Sequence, residues 1–278
     1  MVMPRLWRSV RAPGPEPALT LPSERPGLSG FSLRIEADAA AVAERVAARL
    51  LEALESGDPV GLATGRTMEP VYEAVLRRLA GWSPERRQRL LLQWCSFNLD
   101  EYVGLGPADP GSFAAVMAAA LGHPLGLAPD QLHLPDGLAA DPQAEARRYG
   151  AAVAAAGGIG LQLLGLGSNG HVGFNEPPCP ADAPCRSLSL SEATRRQNAG
   201  AFGGDPAAVP AQAITLGTSE ILAARQVLLV VTGGAKAEIL RRSLQEPPSP
   251  AVPASWLQAH RQLEVVVDAA AAAALELA

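Results

Sequence analysis

Apolar and polar residues alternate from Phe31 through Leu33 to Ile35, the period of a half-buried strand. Asp38 then starts a run of Ala, Val, Arg and Leu that predicts a helix to about Gly57. Further along, apolar runs predict strands at 59–63, 90–97, 159–166, 212–216, 226–232 and 263–267. Between them the spacing predicts helices through Tyr72 to Leu79, over 113–121, over the alanine-rich 142–156 and over 236–244. A Pro-rich loop is expected at 177–186. Strands alternating with helices imply βαβ units and an α/β fold whose mainly parallel sheet is covered on both faces. In such sheets ligands bind beyond the carboxyl ends of the strands, so the turns that follow each strand are where chemistry is expected.

Composition narrows the function classes. The chain has 278 residues and a formal net charge of −5, and 48% of its residues are hydrophobic. Such a chain is long enough for a sizeable core and too apolar to be disordered by composition. Its mild acidity argues against nucleic acid as a partner. No apolar run reaches the ~18–20 residues of a membrane helix, so no membrane partner is expected. Residues 1–30, with six prolines and several arginines, read as a flexible extension rather than a secretory signal, and 31–278 as one domain. Cys95, Cys179 and Cys185 are too few for a disulfide framework and suit a reducing, cytoplasmic setting. With neither a CxxC nor an HExxH, no metal and no cofactor are expected. Lys236 is the chain's one lysine, among arginines.

Four turns after strands carry candidate chemistry. Thr64-Gly65-Arg66-Thr67 lies between a strand and a helix, where backbone N–H groups, hydroxyls and a guanidinium suit a phosphate; an ordinary βα turn has the same outline. Asp100 and Glu101 follow a buried strand and offer a general base, or a cap. Gly165-Leu166-Gly167-Ser168-Asn169-Gly170-His171 contains a GxGxxG, but Pro177, Pro178, Pro180 and Pro184 follow it. A dinucleotide fingerprint needs a helix there, so that reading is set aside. What remains is a glycine-rich loop presenting His171, with Glu176 five residues on to hold or polarise it. Lys236, after Gly233 and Gly234, sits in a first helical turn, where a ligand anion suits it better than the helix dipole does. Together the turns suggest a small phosphorylated substrate with a proton-moving site beside its phosphate.

The segments Phe97-Asn98-Leu99-Asp100-Glu101-Tyr102-Val103-Gly104-Leu105 and Gly165-Leu166-Gly167-Ser168-Asn169-Gly170-His171-Val172-Gly173-Phe174-Asn175-Glu176-Pro177 resemble the two signatures of the glucosamine-6-phosphate deaminase/isomerase family. The 64–67 turn, Ile214-Thr215-Leu216-Gly217, the Gly233-to-Lys236 turn and Ser255-Trp256-Leu257-Gln258-Ala259-His260 fall in the same order, so the resemblance covers about 31–268. It implies a three-layer αβα sandwich with a modified Rossmann-like sheet and no metal. It implies opening of an amino-sugar 6-phosphate ring, proton transfer from C2 to C1, and release of ammonia to give fructose 6-phosphate. Carried over by position, Asp100 would take the C2 proton and His171 would drive ring opening with Glu176 and Asn169 beside it. Thr64, Gly65, Arg66, Thr67, Glu101, Gly167, Gly170 and Lys236 would bind substrate.

Two departures stand out. Asn169 occupies a position that is aspartate in the typical deaminase, which removes a charge beside His171. Asn169, Gly173 and the Pro253-Ala254-Ser255 run are similar to the galactosamine-6-phosphate branch. Gly200 stands near where the family places a phosphate-binding arginine after a pair like Thr194-Arg195, and Arg66 is the candidate to replace that charge. Two other readings are a 6-phosphogluconolactonase-type hydrolase on the same fold and a non-catalytic sugar-phosphate binder. Phe174-Asn175-Glu176-Pro177 and Asp100-Glu101-Tyr102 argue against the hydrolase, and the presence of Asp100, His171 and Glu176 argues against the binder.

Overall fold

The computed structural model describes residues 31–276, and the extension expected at 1–30 lies outside the described residues. The elements run β1 (Phe31–Glu36), α1 (Ala39–Glu55), β2 (Val60–Leu62), α2 (Glu69–Ala80), α3 (Pro84–Leu92), β3 (Ser96–Asn98), β4 (Asp100–Tyr102), α4 (Phe113–Met117) and α5 (His123–Leu125). They continue through β5 (Leu132–His133), α6 (Pro142–Ala155), β6 (Leu161–Gly165), β7 (Arg186–Ser189), α7 (Glu192–Asn198), β8 (Gln212–Thr215), α8 (Thr218–Ala223), β9 (Gln226–Val231), α9 (Ala237–Gln245) and β10 (Leu263–Asp268).

Seven strands form a parallel sheet in the order β1-β10-β9-β6-β2-β3-β5, flanked by helices in the expected α/β arrangement. Its central strands are buried almost along their whole length, which is why 227–231 and 265–267 read as unbroken apolar runs rather than alternating ones. α1 begins where predicted: the Asp38 carboxylate accepts the Ala41 N–H at 2.9 Å, and Val42, Val46, Leu50 and Leu54 bury one stripe of the helix.

Two differences from the pattern matter for the site. The run 90–97 is not a strand throughout. Ser83 caps α3 and Pro84 opens it, so Leu90 is the buried end of a helix, Leu92 lies 76% exposed, and the strand begins only at Ser96. Second, β4, β8 and β7 form a separate three-stranded antiparallel sheet. β4 (Asp-Glu-Tyr) and β7 (Arg-Ser-Leu-Ser) are short and polar, so their pairing leaves no apolar period to read.

The second sheet is pressed against the loop that precedes it. At Gly217, where β8 hands over to α8, a Cβ would overlap the main chain of Ala183 and Pro184. Main chain cannot swing aside as a flexible side chain does. Gly217→Ala is expected to cost about 1–3 kcal/mol of stability, read as a lowered urea midpoint at unchanged slope.

Candidate active site

Four neighbouring strands of the large sheet, β9, β6, β2 and β3, all end at one edge. The turns that leave them carry Lys236, His171, Arg66 and Asp100 in that order across the edge. Residues spread over more than 160 positions are thus gathered by strand order alone, at the edge where α/β sheets bind ligands.

No helix follows β6. The chain folds into an open loop in which the Gly167 N–H donates to the His171 carbonyl at 2.9 Å and the Gly170 N–H to the Gly167 carbonyl at 3.0 Å. A Cβ at Gly167 would overlap the imidazole, so His171 lies flat against bare backbone. Asn169 Oδ1 lies 2.6 Å from His171 Nδ1 and accepts the His171 backbone N–H at 3.2 Å. A backbone amide can only donate, so the atom facing it is the carboxamide oxygen, and Nδ1 must carry the ring proton. Nε2 is therefore the free base. Burial is the main force on His171; with the Lys236 ammonium adding to it and the Glu176 carboxylate opposing, its pKa falls to about 4. The ring is neutral around pH 7.

Glu176 follows on the same loop. One carboxylate oxygen accepts the Ser191 N–H at 3.2 Å, while the other, Oε1, is buried with no hydrogen-bond partner among the described residues. The loop between is fastened by Asn175, whose amide donates to the carbonyls of Val172 and Leu216 and whose oxygen accepts from Arg186 at 2.8 Å. Neither Asn175 nor Arg186 was singled out from the sequence. Asn175 stood inside the quoted motif but its type gave no reason to prefer a clamp to a ligand.

Asp100 opens β4 opposite Thr215 on β8. Its carboxylate is buried, makes no hydrogen bond with any described residue, and faces the same loop: Oδ2 would lie 3.4 Å from a Cβ at Gly173, two residues beyond His171. Burial, with the Glu101 charge second, pushes its pKa up to about 8. Glu101 points the other way, as successive strand residues must. Its oxygens accept the N–H groups of Tyr102, Phe113 and Ala114 at 2.7–2.9 Å, so it secures the start of α4 and is taken up by backbone rather than facing the pocket. Its expected part in substrate binding is not supported by that position.

The 64–67 turn links β2 to α2, with the Met68 N–H closing it onto the Gly65 carbonyl at 2.8 Å. Arg66 is exposed at its tip and has no hydrogen bond or acidic partner among the described residues. Across the edge, the Gly233 N–H is held by both oxygens of Asp268 at 2.9–3.0 Å, which fixes the approach to Lys236. Lys236 is half-buried; burial and, next, the Arg66 guanidinium lower its pKa. The two cations thus feel one another. Gly200 is exposed with nothing around its Cα, and Arg195 is spent on the carbonyls of Val209 and Ala207. Ser168, in the middle of the glycine loop, donates to Gln197 of α7 at 2.8 Å.

The family model for glucosamine-6-phosphate isomerases/6-phosphogluconolactonase matches residues 35–267. A glucosamine-6-phosphate deaminase of Rhodopirellula baltica is 40% identical over 253 residues, 90% of this chain and 98% of that protein. One of Streptomyces coelicolor is 43% identical over 219 residues, covering 79% and 82% of the two chains. The solved structure of a monomeric glucosamine-6-phosphate deaminase superposes with a TM-score of 0.81 at 32% identity, over 87% of this chain and 99% of that one. A 6-phosphogluconolactonase from Trypanosoma cruzi shares the fold, at a TM-score of 0.67 and 18% identity. This chain belongs to the glucosamine-6-phosphate isomerase/6-phosphogluconolactonase family.

Proposed function

We propose that this protein is an amino-sugar-6-phosphate deaminase/isomerase, converting glucosamine 6-phosphate or its galactosamine counterpart to the ketose 6-phosphate and ammonia. The observation that carries this is the pairing, on one loop system, of a buried unpartnered carboxyl at Asp100 with a neutral imidazole whose Nε2 is free. The printed names of the relatives agree with it. The sparse cysteine set supports a cytoplasmic setting.

In this reading the substrate enters as a ring. His171 Nε2 accepts the anomeric hydroxyl proton and returns a proton to the ring oxygen as the C1–O5 bond breaks, leaving an open-chain aldehyde. Glu176, one oxygen unpaired nearby, steadies the transient imidazolium. Asp100 in its ionised form, the minor one at neutral pH, takes the C2 proton, acidic because it lies alpha to the carbonyl, and the enolamine is reprotonated at C1. The resulting C2 imine adds water and expels ammonia. Thr64, Gly65, Thr67, Arg66 and Lys236 hold the phosphate at the neighbouring turns. Gly167 and Gly170 let the loop backbone approach the sugar.

The test is ammonia release with both amino-sugar 6-phosphates. Asp100→Asn is expected to lower kcat by at least about 100-fold through loss of the base. The same variant should be more stable than the parent at about pH 9 and indistinguishable at about pH 4. A carboxyl whose folded pKa is raised from 3.8 to about 8 contributes its full stability below about pH 4, loses it progressively as pH rises to about 8, and has none left above that. Equal melting temperatures at alkaline pH would show that the carboxylate is not desolvated.

Gly167→Ala places a methyl where the imidazole lies, so kcat should fall by about 10- to 100-fold while the melting temperature moves little. Arg66→Ala should raise KM for the sugar phosphate about 10-fold with kcat nearly unchanged, because it removes binding energy common to ground and transition states. An unchanged KM would exclude Arg66 from the phosphate site.

A further inference from the structure

We infer that an anion seated between Arg66 and Lys236 raises the proton affinity of His171, so that filling the phosphate end of the site strengthens the base at the other end. The inference rests on the reading above only for the identity of the natural anion, a sugar phosphate.

The geometry that carries it is strand order. β2 and β9 flank β6 directly, so the turns bearing Arg66 and Lys236 stand on either side of the loop bearing His171, about 10 Å apart at two strand spacings. The loop also touches the start of α9. A Cβ at Gly170 would lie 3.3 Å from Ile239 Cδ1, and Ile239 is three residues beyond Lys236 while Gly170 is next to His171. Neither cation has an acidic partner among the described residues. The Lys236 ammonium, with no carboxylate paired to it, therefore acts on a half-buried imidazole where water screens poorly, against the larger opposing pull of Glu176. The charges whose fields reach His171 are Glu176 on its own loop and Lys236 at the start of α9, with Arg66 acting on Lys236; Asn169 is neutral.

A doubly negative ligand on the cation pair cancels the repulsion that a protonated His171 would meet. The imidazole then becomes the stronger base only when a phosphorylated ligand is present. Unphosphorylated amino sugars meet a weaker base as well as a weaker grip, so they lose in kcat and not in KM alone.

Sulfate is the probe, because it stays dianionic across the range in which histidine titrates. The His171 Cε1–H resonance, assigned by its absence in His171→Gln, is titrated with and without saturating sulfate. Sulfate is expected to raise the midpoint by about 0.5–1 unit, a roughly 3- to 10-fold gain in proton affinity. Lys236→Gln should start from a raised midpoint and respond little. By linkage, calorimetry should show sulfate binding tighten below about pH 5 in the parent and not in His171→Gln. A midpoint that sulfate leaves unmoved, or sulfate that does not bind, overturns the inference. Ammonia release is measured in parallel: turnover with an unmoved midpoint sinks this coupling alone, and a coupled midpoint without turnover sinks the deaminase reading alone.

Discussion

Desolvation without a compensating charge is the constraint on which the site depends. Asp100 is buried and His171 half-buried, and among the described residues neither meets a counter-ion in direct contact. Burial therefore drives both toward their neutral forms, the carboxyl up to about 8 and the imidazole down to about 4. A carboxylate tied into a salt bridge would be a weaker base for a carbon-bound proton, and a permanently charged imidazolium could not accept the anomeric proton. The arrangement costs stability at the pH where the enzyme works, and that cost is offset by the continuous apolar packing of β6, β9 and β10 behind the site.

Asn169 shows that the orienting role and the charge are separable. What the imidazole needs in order to act through Nε2 is an acceptor at Nδ1. The carboxamide oxygen supplies it, with its own orientation fixed by the backbone N–H of His171. A carboxylate at that position would add basicity. Here Glu176 is the acidic group whose field raises the imidazole, and the burden of tuning falls on what else is bound nearby.

Most of the parallel sheet was legible because its strands are buried on both faces and its helices follow recognisable caps. The run 90–97 misled because three leucines in a row suit the end of a helix and the inside of a strand equally, and only Ser83-Pro84 distinguishes them. The antiparallel sheet was hidden for a different reason: its strands pair over three or four residues, and polar side chains such as Asp100, Glu101 and Arg186 leave no apolar period. At the site, Asp100, His171 and Glu176 were named from residue type and position after strands, and Asn169 from the family resemblance. Asp100 and Glu101 look alike in sequence, whereas the alternation of strand faces turns Asp100 toward Gly173 and Glu101 onto the amides of Tyr102, Phe113 and Ala114. Asn175 and Arg186 were missed because a clamp between two loops is a long-range fact that no local spacing announces.

The glycine loop after β6 joins these strands of argument. Its segments meet three different walls: the imidazole over Gly167, Val252 and then Ile239 of α9 behind Gly170, and Asp100 with Thr215 beside Gly173. Asp100 belongs to the small sheet and the turns bearing Lys236 and Arg66 to the large one, and this loop lies between them. Side chains at these glycines would push the walls apart by the width of a methyl group, enough to separate proton donor from acceptor. The density of glycine that first suggested a nucleotide-binding turn is therefore accounted for without a helix. Backbone is thin where the imidazole, Val252 with Ile239, and Asp100 all come close to one loop.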